Sequence, residues 1–278
     1  MDNVQLHAIE RALPLTRPRP VSENWLSFLR VLTGSPAILA LIALWEVAPR
    51  LGLVERAFLP PFSEVVVVAW QMLLSGALLE HIGASLSRSL IGFGAAIVIA
   101  VPLGLAIGAS RKTYDFVNPL LEVFRNTAAL ALLPVFILLL GIGESSKIAI
   151  VLYVCSWSIL LNTISGVRTV DPLLIKSART MGLGRAALLR KVTLPAALPT
   201  IFTGIRLAGS SSLLVLVAAE MVGAKAGLGY LIQYSQYNFQ IPQMYAGIIT
   251  TTAIGLAFAK ALLALERRFT SWQPPSAM

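Results

Sequence analysis

Cysteine is almost missing from this chain of 278 residues, where Cys155 stands alone. An internal disulfide and a thiolate metal cluster are therefore both excluded. Cys155 lies in an apolar run and reads as a core residue. Histidine is nearly as sparse, and His7 and His81 are too far apart in sequence to suggest a metal site. Charge is scarce too: 13% of residues are charged, about half the share usual in a soluble domain. Acids are the scarcer sign, with 13 Asp and Glu against 22 Lys and Arg. No G-x-x-x-x-G-K-[ST] stretch is present to cradle nucleotide phosphates, and no G-x-S-x-G elbow or H-E-x-x-H helix occurs. The chain is thus not expected to hydrolyse ATP itself, or to be an enzyme of another kind. The acids within apolar segments, Glu46, Glu122 and Glu220, show no paired spacing for acid–base work. No cofactor or metal is expected. The first thirty-odd residues are polar and basic, without the short apolar run of a secretory leader.

Apolar residues are what the chain has in abundance. They make up 56% of it, and the mean hydropathy is +0.78. Several runs approach the ~20 residues that a helix needs to cross the hydrocarbon core. The reading is an all-α integral membrane protein with about six transmembrane helices. Expected spans lie near Ser35–Leu53, Ser85–Ala109, Phe124–Leu140, Ser146–Val167, Leu198–Val222 and Met244–Leu265. Leu59-Pro60-Pro61-Phe62-Ser63 separates the first from an amphipathic helix at about Glu64–Leu79, too interrupted to be a span. Pro102 is expected to kink the second span. Gly104 and Gly108 form a small-xxx-small pair that would let another helix approach closely. Gly141-Ile142-Gly143-Glu144 is a short link, so the third and fourth spans should be antiparallel neighbours. The expected divisions are an N-terminal tail (1–33), a first span with an outer amphipathic segment (34–80), a five-span core (81–265) and a C-terminal tail (266–278).

The basic residues are unevenly placed. With the N-terminus inside, Arg11, Arg17, Arg19, Arg30, Arg111, Lys112, Arg168, Lys176, Arg179, Arg185, Arg190, Lys191, Arg267 and Arg268 fall on the inner side. Only Arg50, Arg56, Lys147 and Lys225 fall outside. Lys and Arg collect in cytoplasmic loops, so both termini are expected in the cytoplasm. The same placement accounts for the net charge of +9 without nucleic acid as a partner.

The densest basic stretch, 171–199, reads as two short helices around a turn. Pro172 suits a first helical turn. Leu173, Leu174, Ala178 and Met181 form a stripe at helical spacing. Gly182 and Gly184 end that helix, and a second, Arg185–Val192, is expected to stop before Pro195. A basic loop of this kind would suit anionic lipid headgroups or a soluble docking partner.

This stretch resembles the cytoplasmic loop of ABC importer permeases, whose motif is E-A-A, three residues, G, nine residues, I-x-L-P. The matching positions are Lys176-Ser177-Ala178, Gly182 and Val192-Thr193-Leu194-Pro195. Spacing agrees throughout; Lys replaces Glu, Ser replaces Ala and Val replaces Ile. Segments 102–111 (PLGLAIGASR), 139–150 (LLGIGESSKIAI), 159–182 and 218–232 (AAEMVGAKAGLGYLI) resemble the sulfonate, nitrate and taurine branch of that class. The resemblance implies a methionine-importer-like five-helix core with a cytoplasmic coupling hairpin. It implies the permease subunit of a bacterial inner-membrane importer, a homodimer working with two ATPase subunits and an extracytoplasmic solute-binding protein. The cargo implied is a small anion such as an alkanesulfonate, taurine or nitrate. Leu174, Lys176, Ser177, Ala178, Arg179, Gly182, Leu183 and Pro195 would form the contact with the ATPase.

The substrate path is marked by polar residues inside spans. The candidates are Arg88, Asn162, Arg206, Ser210, Ser211 and Glu220. Each has an alternative role in hydrogen bonding between helices. Arg125, near a span end, is a further candidate, with snorkelling as its alternative role, and Arg88 is also a candidate to pair with Glu80 or Glu122. Tyr230, Tyr234, Tyr237, Phe239 and Tyr245 suit an interfacial aromatic belt or a docking face for a binding protein. A stand-alone secondary transporter or channel is the alternative reading; it should show inverted repeats or coupling-ion acids.

Overall fold

Small residues repeat every fourth position along one face of the longest helix, and that face sets the packing of the bundle. The computed structural model describes residues 36–269, with the Arg185 side chain left aside. The expected N-terminal tail lies outside the described residues, as does the C-terminal tail from 270 onward. The chain divides into two compact units, Met1–Phe62 and Ser63–Met278.

In the first unit, α1 spans Pro36–Arg50. The indole Nε1 of Trp45 donates to the Pro60 carbonyl at 3.1 Å, and Glu46 pairs with Arg50 one turn on. At 15 residues, the described helix is shorter than a full span.

The second unit holds the rest. After α2 (Phe62–Leu74), the chain turns at Ser75-Gly76 and α3 runs from Ala77 to Ala109. The expected single amphipathic helix to Leu79 is therefore broken at that turn, and its last residues belong to α3. α4 (Arg111–Arg125), a 3-10 turn (Ala129–Leu132) and α5 (Leu133–Leu140) follow. Next come α6 (Glu144–Arg168), α7 (Pro172–Thr180) and α8 (Arg185–Leu188). A π-turn (Leu189–Thr193) leads into α9 (Leu194–Glu220). α10 (Leu228–Tyr237) and α11 (Ile241–Phe269) complete it. No strand occurs among the described residues. Four helical stretches are long and apolar enough to cross a membrane, and a fifth if the bent pair α4 and α5 counts as one span.

That bent pair departs from the expected straight third span. The two halves meet at 85°. Asn126 Nδ2 donates to the Glu122 carbonyl at 2.8 Å, and Thr127 Oγ1 to the Val123 carbonyl at 3.0 Å. These side chains take the carbonyls that the next helical turn would have used, so α4 ends there. Pro134 then starts α5 at a position where its missing N–H costs nothing.

The hairpin's second helix does not stop before Pro195 either. The Leu194 N–H reaches back five residues to the Leu189 carbonyl. This wider turn shifts the hydrogen-bond register just before Pro195, and the helix continues into α9.

The core lies where α3 and α9 both pack on α6. Gly92, Ala96, Ala100, Gly104 and Gly108 line the α3 face. A Cβ on Gly104 would lie 2.7 Å from Thr163 Cβ, and one on Gly108 2.8 Å from Val167 Cβ. The helices approach this closely only because those side chains are missing. Val151, Cys155, Ile159 and Leu160 of α6 fill the centre with Ile201, Ala208 and Leu216 of α9. Between membrane helices such contacts act through dispersion and shape rather than by expelling water.

Candidate functional site

Asp171 fixes the start of the hairpin: its carboxylate accepts the Leu173 N–H at 2.7 Å, a common N-cap arrangement. α7 then ends at Gly182, whose φ is +81°. The Leu183 N–H closes the end on the Ala178 carbonyl at 3.2 Å, a six-to-one bond of the Schellman kind. Ala178 is buried, whereas Lys176, Ser177, Arg179 and Gly182 are exposed and Leu183 is half-buried. The expected apolar stripe does not turn inward as a whole. Leu173, Leu174 and Met181 are exposed, Met181 by 80%. Pro195 is half-buried at the start of α9. The coupling candidates are thus gathered on one hairpin, with apolar and basic side chains side by side on its open surface.

At the opposite end of the bundle lies a buried ionic cluster. Glu220, fully buried at the end of α9, accepts from Ser85 Oγ at 2.8 Å, Arg88 Nη1 at 2.6 Å and the Gly229 N–H at 3.0 Å. Arg88 also donates from Nη1 to the Ala226 carbonyl at 2.7 Å. Its Nε and Nη2 form a fork on Glu144. The sequence suggested Glu80 or Glu122 as partners for Arg88; its partners are Glu144 and Glu220. Ser85 Oγ accepts the Leu228 N–H at 2.8 Å, so the cluster joins α3, α6, α9 and the start of α10. Gly227 explains part of the AGLG segment. Its φ is +127° and a Cβ there would fall on the Glu220 carboxylate. Lys147, also buried, donates to the Gly143 carbonyl at 3.0 Å.

The other pathway candidates are scattered. Arg206 lies 3.4 Å from Glu266 on α11. Ser210 Oγ donates to the Arg206 carbonyl at 3.3 Å. Ser211 is half-buried, while its neighbour Ser212 lies 3.1 Å from Ser89 across the α3–α9 contact. Asn162 lines open space, a cleft of about 540 Å³ between α6 and the break after α4. Arg125, Tyr153, Trp157 and Ser158 line the same cleft. Sequence reasoning raised Arg125 as a pathway candidate that could instead snorkel, and did not raise Tyr153 or Trp157. Their spacing at i,i+4 on one helix face was the available signal. A second cleft of about 340 Å³, toward the hairpin, shares Arg125 and adds Glu122 and Arg168. Arg168 lies 3.8 Å over the ring of Tyr114, a cation–π contact. No group of acids, histidines or cysteines that would hold a metal occurs among the described residues.

Of the outer aromatic group, Tyr230 and Tyr234 stack on α10 with centroids 5.5 Å apart. Tyr237 and Phe239 are exposed.

Comparison with known proteins adds to this geometry. The family of binding-protein-dependent transport system inner membrane components matches residues 96–271. The chain is 31% identical over 259 residues to the taurine transport system permease protein TauC of Escherichia coli, covering 91% of this chain and 94% of that protein. It is 34% identical over 238 residues to a Bacillus subtilis protein, SsuC, named for aliphatic sulfonates transport, covering 86% of each. It is 30% identical over 262 residues to the nitrate import permease protein NrtB of Synechocystis, covering 90% of this chain and 94% of that one. A solved structure titled as inward facing conformations of the MetNI methionine ABC transporter aligns with a TM-score of 0.63 at 22% identity. It covers 69% of this chain and 96% of that one. That likeness concerns the fold, and it agrees with the methionine-importer-like core expected from the sequence.

Proposed function

Because the chain belongs to the family of binding-protein-dependent transport system inner membrane components, we propose that it is the membrane-spanning permease of an ATP-driven importer for a small anion. An alkanesulfonate, taurine or nitrate is the cargo class, supported by the names of relatives that align over most of their length. Two copies form the permease, with two ATPase subunits on the cytoplasmic side and a solute-binding protein outside. The membrane is the bacterial inner membrane, and both termini lie in the cytoplasm.

The observation that carries the reading is the surface of the 171–199 hairpin. Leu173, Leu174 and Met181 are exposed beside Lys176 and Arg179, an apolar patch with a basic rim that suits a soluble partner. The chain has no nucleotide-binding motif of its own, so ATP-driven work needs that partner. Leu174 and Leu183 anchor the contact, and Ser177 and Gly182 allow close approach, while Ala178 is buried off the exposed face. Lys176 and Arg179 face acids of the partner, and Pro195 connects the hairpin to α9. Since α8, the π-turn and α9 form one helical run, Ala186–Glu220, a displacement of the hairpin is passed to the far end of the bundle. There Glu220 ties α9 to α3. ATP binding closes the ATPase pair, the hairpins move with it, and the spans rock to open the path to the other side. Among the pathway candidates, Asn162 and Arg125 line a cleft and are carried forward.

Gly182→Arg tests this. The position has a left-handed φ, and apart from its chain neighbours no atom of the described residues lies within 4 Å of a Cβ built there. The change should therefore strain only the local turn and add bulk to the docking face. Membrane insertion should be retained, while co-purification with the ATPase and ATP-driven uptake fall at least tenfold. Normal uptake by this variant would remove the coupling role of the hairpin.

A further inference from the structure

Resting on that transport reading, we propose that the cleft between α6 and the α4–α5 break is a binding subsite for a small oxyanion on the solute path, with Arg125 as its cation. Its wall contains one charged residue, Arg125, and no carboxylate. Arg125 is exposed and forms no ion pair among the described residues. A charge within a membrane bundle is costly unless it is paired or faces a water-filled cavity. The cleft provides that cavity, and a bound anion provides the pair.

Two further donors are unused. Tyr153 Oη and Trp157 Nε1 are buried and have no hydrogen-bond partner among the described residues. An indole N–H can only donate, and a guanidinium only donates. An unpaired guanidinium calls for a ligand rich in acceptors, which a sulfonate or nitrate is, and the two buried donors belong to side chains that form the wall beside it. Asn126 and Thr127 already occupy the Glu122 and Val123 oxygens. Asn162 Nδ2 is likewise committed, to the Ser158 carbonyl at 2.8 Å.

The rings fix the donors and favour a short apolar tail. Phe124 stacks on Trp157 with centroids 5.1 Å apart and planes 11° apart. Tyr153 meets Trp157 edge-on at 5.8 Å. This packing holds the indole in one orientation and presents aromatic surface beside the cation, so an alkanesulfonate matches the cleft on both its ends. The second cleft has Glu122 in its wall beside Arg125 and Arg168, and Arg168 is already engaged over the Tyr114 ring. Arg125 borders both and stands at the step from one to the other.

A lipid phosphate offers the same chemistry as a sulfonate, and the experiment separates them. The full chain is assembled with its ATPase in nanodiscs, of phosphatidylcholine alone or with phosphatidylglycerol. Tryptophan fluorescence is followed during titration with ethanesulfonate, nitrate and the neutral dimethyl sulfone. Wild type should show a saturable change with both anions, none with the sulfone, and the same midpoint in either lipid. Arg125→Gln should weaken the midpoint at least tenfold and Arg125→Lys by no more than a few-fold. Trp157→Phe should remove the signal. Absence of saturable binding in wild type, or an unchanged midpoint in Arg125→Gln, would overturn the subsite. So would a signal that follows the phosphatidylglycerol content and ignores ethanesulfonate. ATPase co-purification with Arg125→Gln reads the transport proposal separately. If association persists while the midpoint is unchanged, the subsite falls and the importer reading stands.

Discussion

Arg88 and Glu220 show how single residues hold this bundle. Both are at most 3% exposed. Removing one partner of a buried, hydrogen-bonded pair leaves an uncompensated charge, which costs ~3–5 kcal/mol in typical cases. Arg88→Met leaves Glu220 with Ser85 and the Gly229 N–H alone, and should cost that much. Glu220→Gln should cost less, because Arg88 keeps its fork on Glu144. The double change should be milder than the sum, since the two residues are in direct contact. Thermal unfolding of the detergent-solubilised chain reads all three. Additive losses would mean that Arg88 and Glu220 do not act as a pair. This cluster was not legible in the sequence. Arg88 and Glu220 are 132 residues apart, and Arg88 and Glu144 are 56 apart. No local spacing reports such a pairing, and Glu80 and Glu122 looked equally available. Lys176, by contrast, was placed by spacing alone, since Gly182 and Pro195 fix the frame of the loop around it.

At the scale of elements, the legible parts were those whose signals are local. Pro172, Gly182 and the spacing of Leu173, Ala178 and Met181 located α7, and Gly141-Ile142-Gly143 located the turn before α6. The break between α4 and α5 escaped notice because apolar runs measure length, not direction. Asn126 and Thr127 act through side-chain bonds to the preceding turn, which composition does not display. The π-turn before Pro195 was hidden for a related reason: a proline usually ends a helix, but one shifted register lets the helix continue. The Gly104–Gly108 pair was read correctly as a contact face, and it extends to Gly92 through Ala96 and Ala100. α3 offers its own control. A Cβ on Gly104 would also meet the Leu160 carbonyl at 3.2 Å, whereas one on Gly94 meets nothing within 4 Å. Gly104→Ala must push α3 from α6 and should cost ~1–3 kcal/mol, as overpacking does. Gly94→Ala should be neutral or slightly stabilising, by the ordinary helix preference for alanine. Equal unfolding temperatures for the two variants would show that the α3–α6 contact is looser than this.

For the whole molecule, the orientation of the bundle decides what each end does. The hairpin and the Glu220 cluster lie at opposite ends of α9, so only one can face the ATPase. The basic residues favour the hairpin side, where Arg168, Lys176, Arg179, Arg190 and Lys191 lie close together, while Lys147 and Lys225 sit at the other end. Lys and Arg near span ends resist translocation, so the crowded end is expected to stay in the cytoplasm. The single cysteine makes this directly measurable. Cys155 is fully buried, with its thiol 3.5 Å from the Ala208 carbonyl, so a charged maleimide should leave the wild-type chain unlabelled. Met181→Cys puts a thiol on the exposed hairpin, and Lys225→Cys puts one on the turn before α10. A membrane-impermeant maleimide should label Met181→Cys at least tenfold faster in inside-out vesicles than in right-side-out ones. Lys225→Cys should show the reverse. Labelling of the hairpin from outside would place the basic end away from the ATP supply. No rearrangement of spans would then reconcile the loop with a coupling role, because α8, the π-turn and α9 run together as one helical stretch.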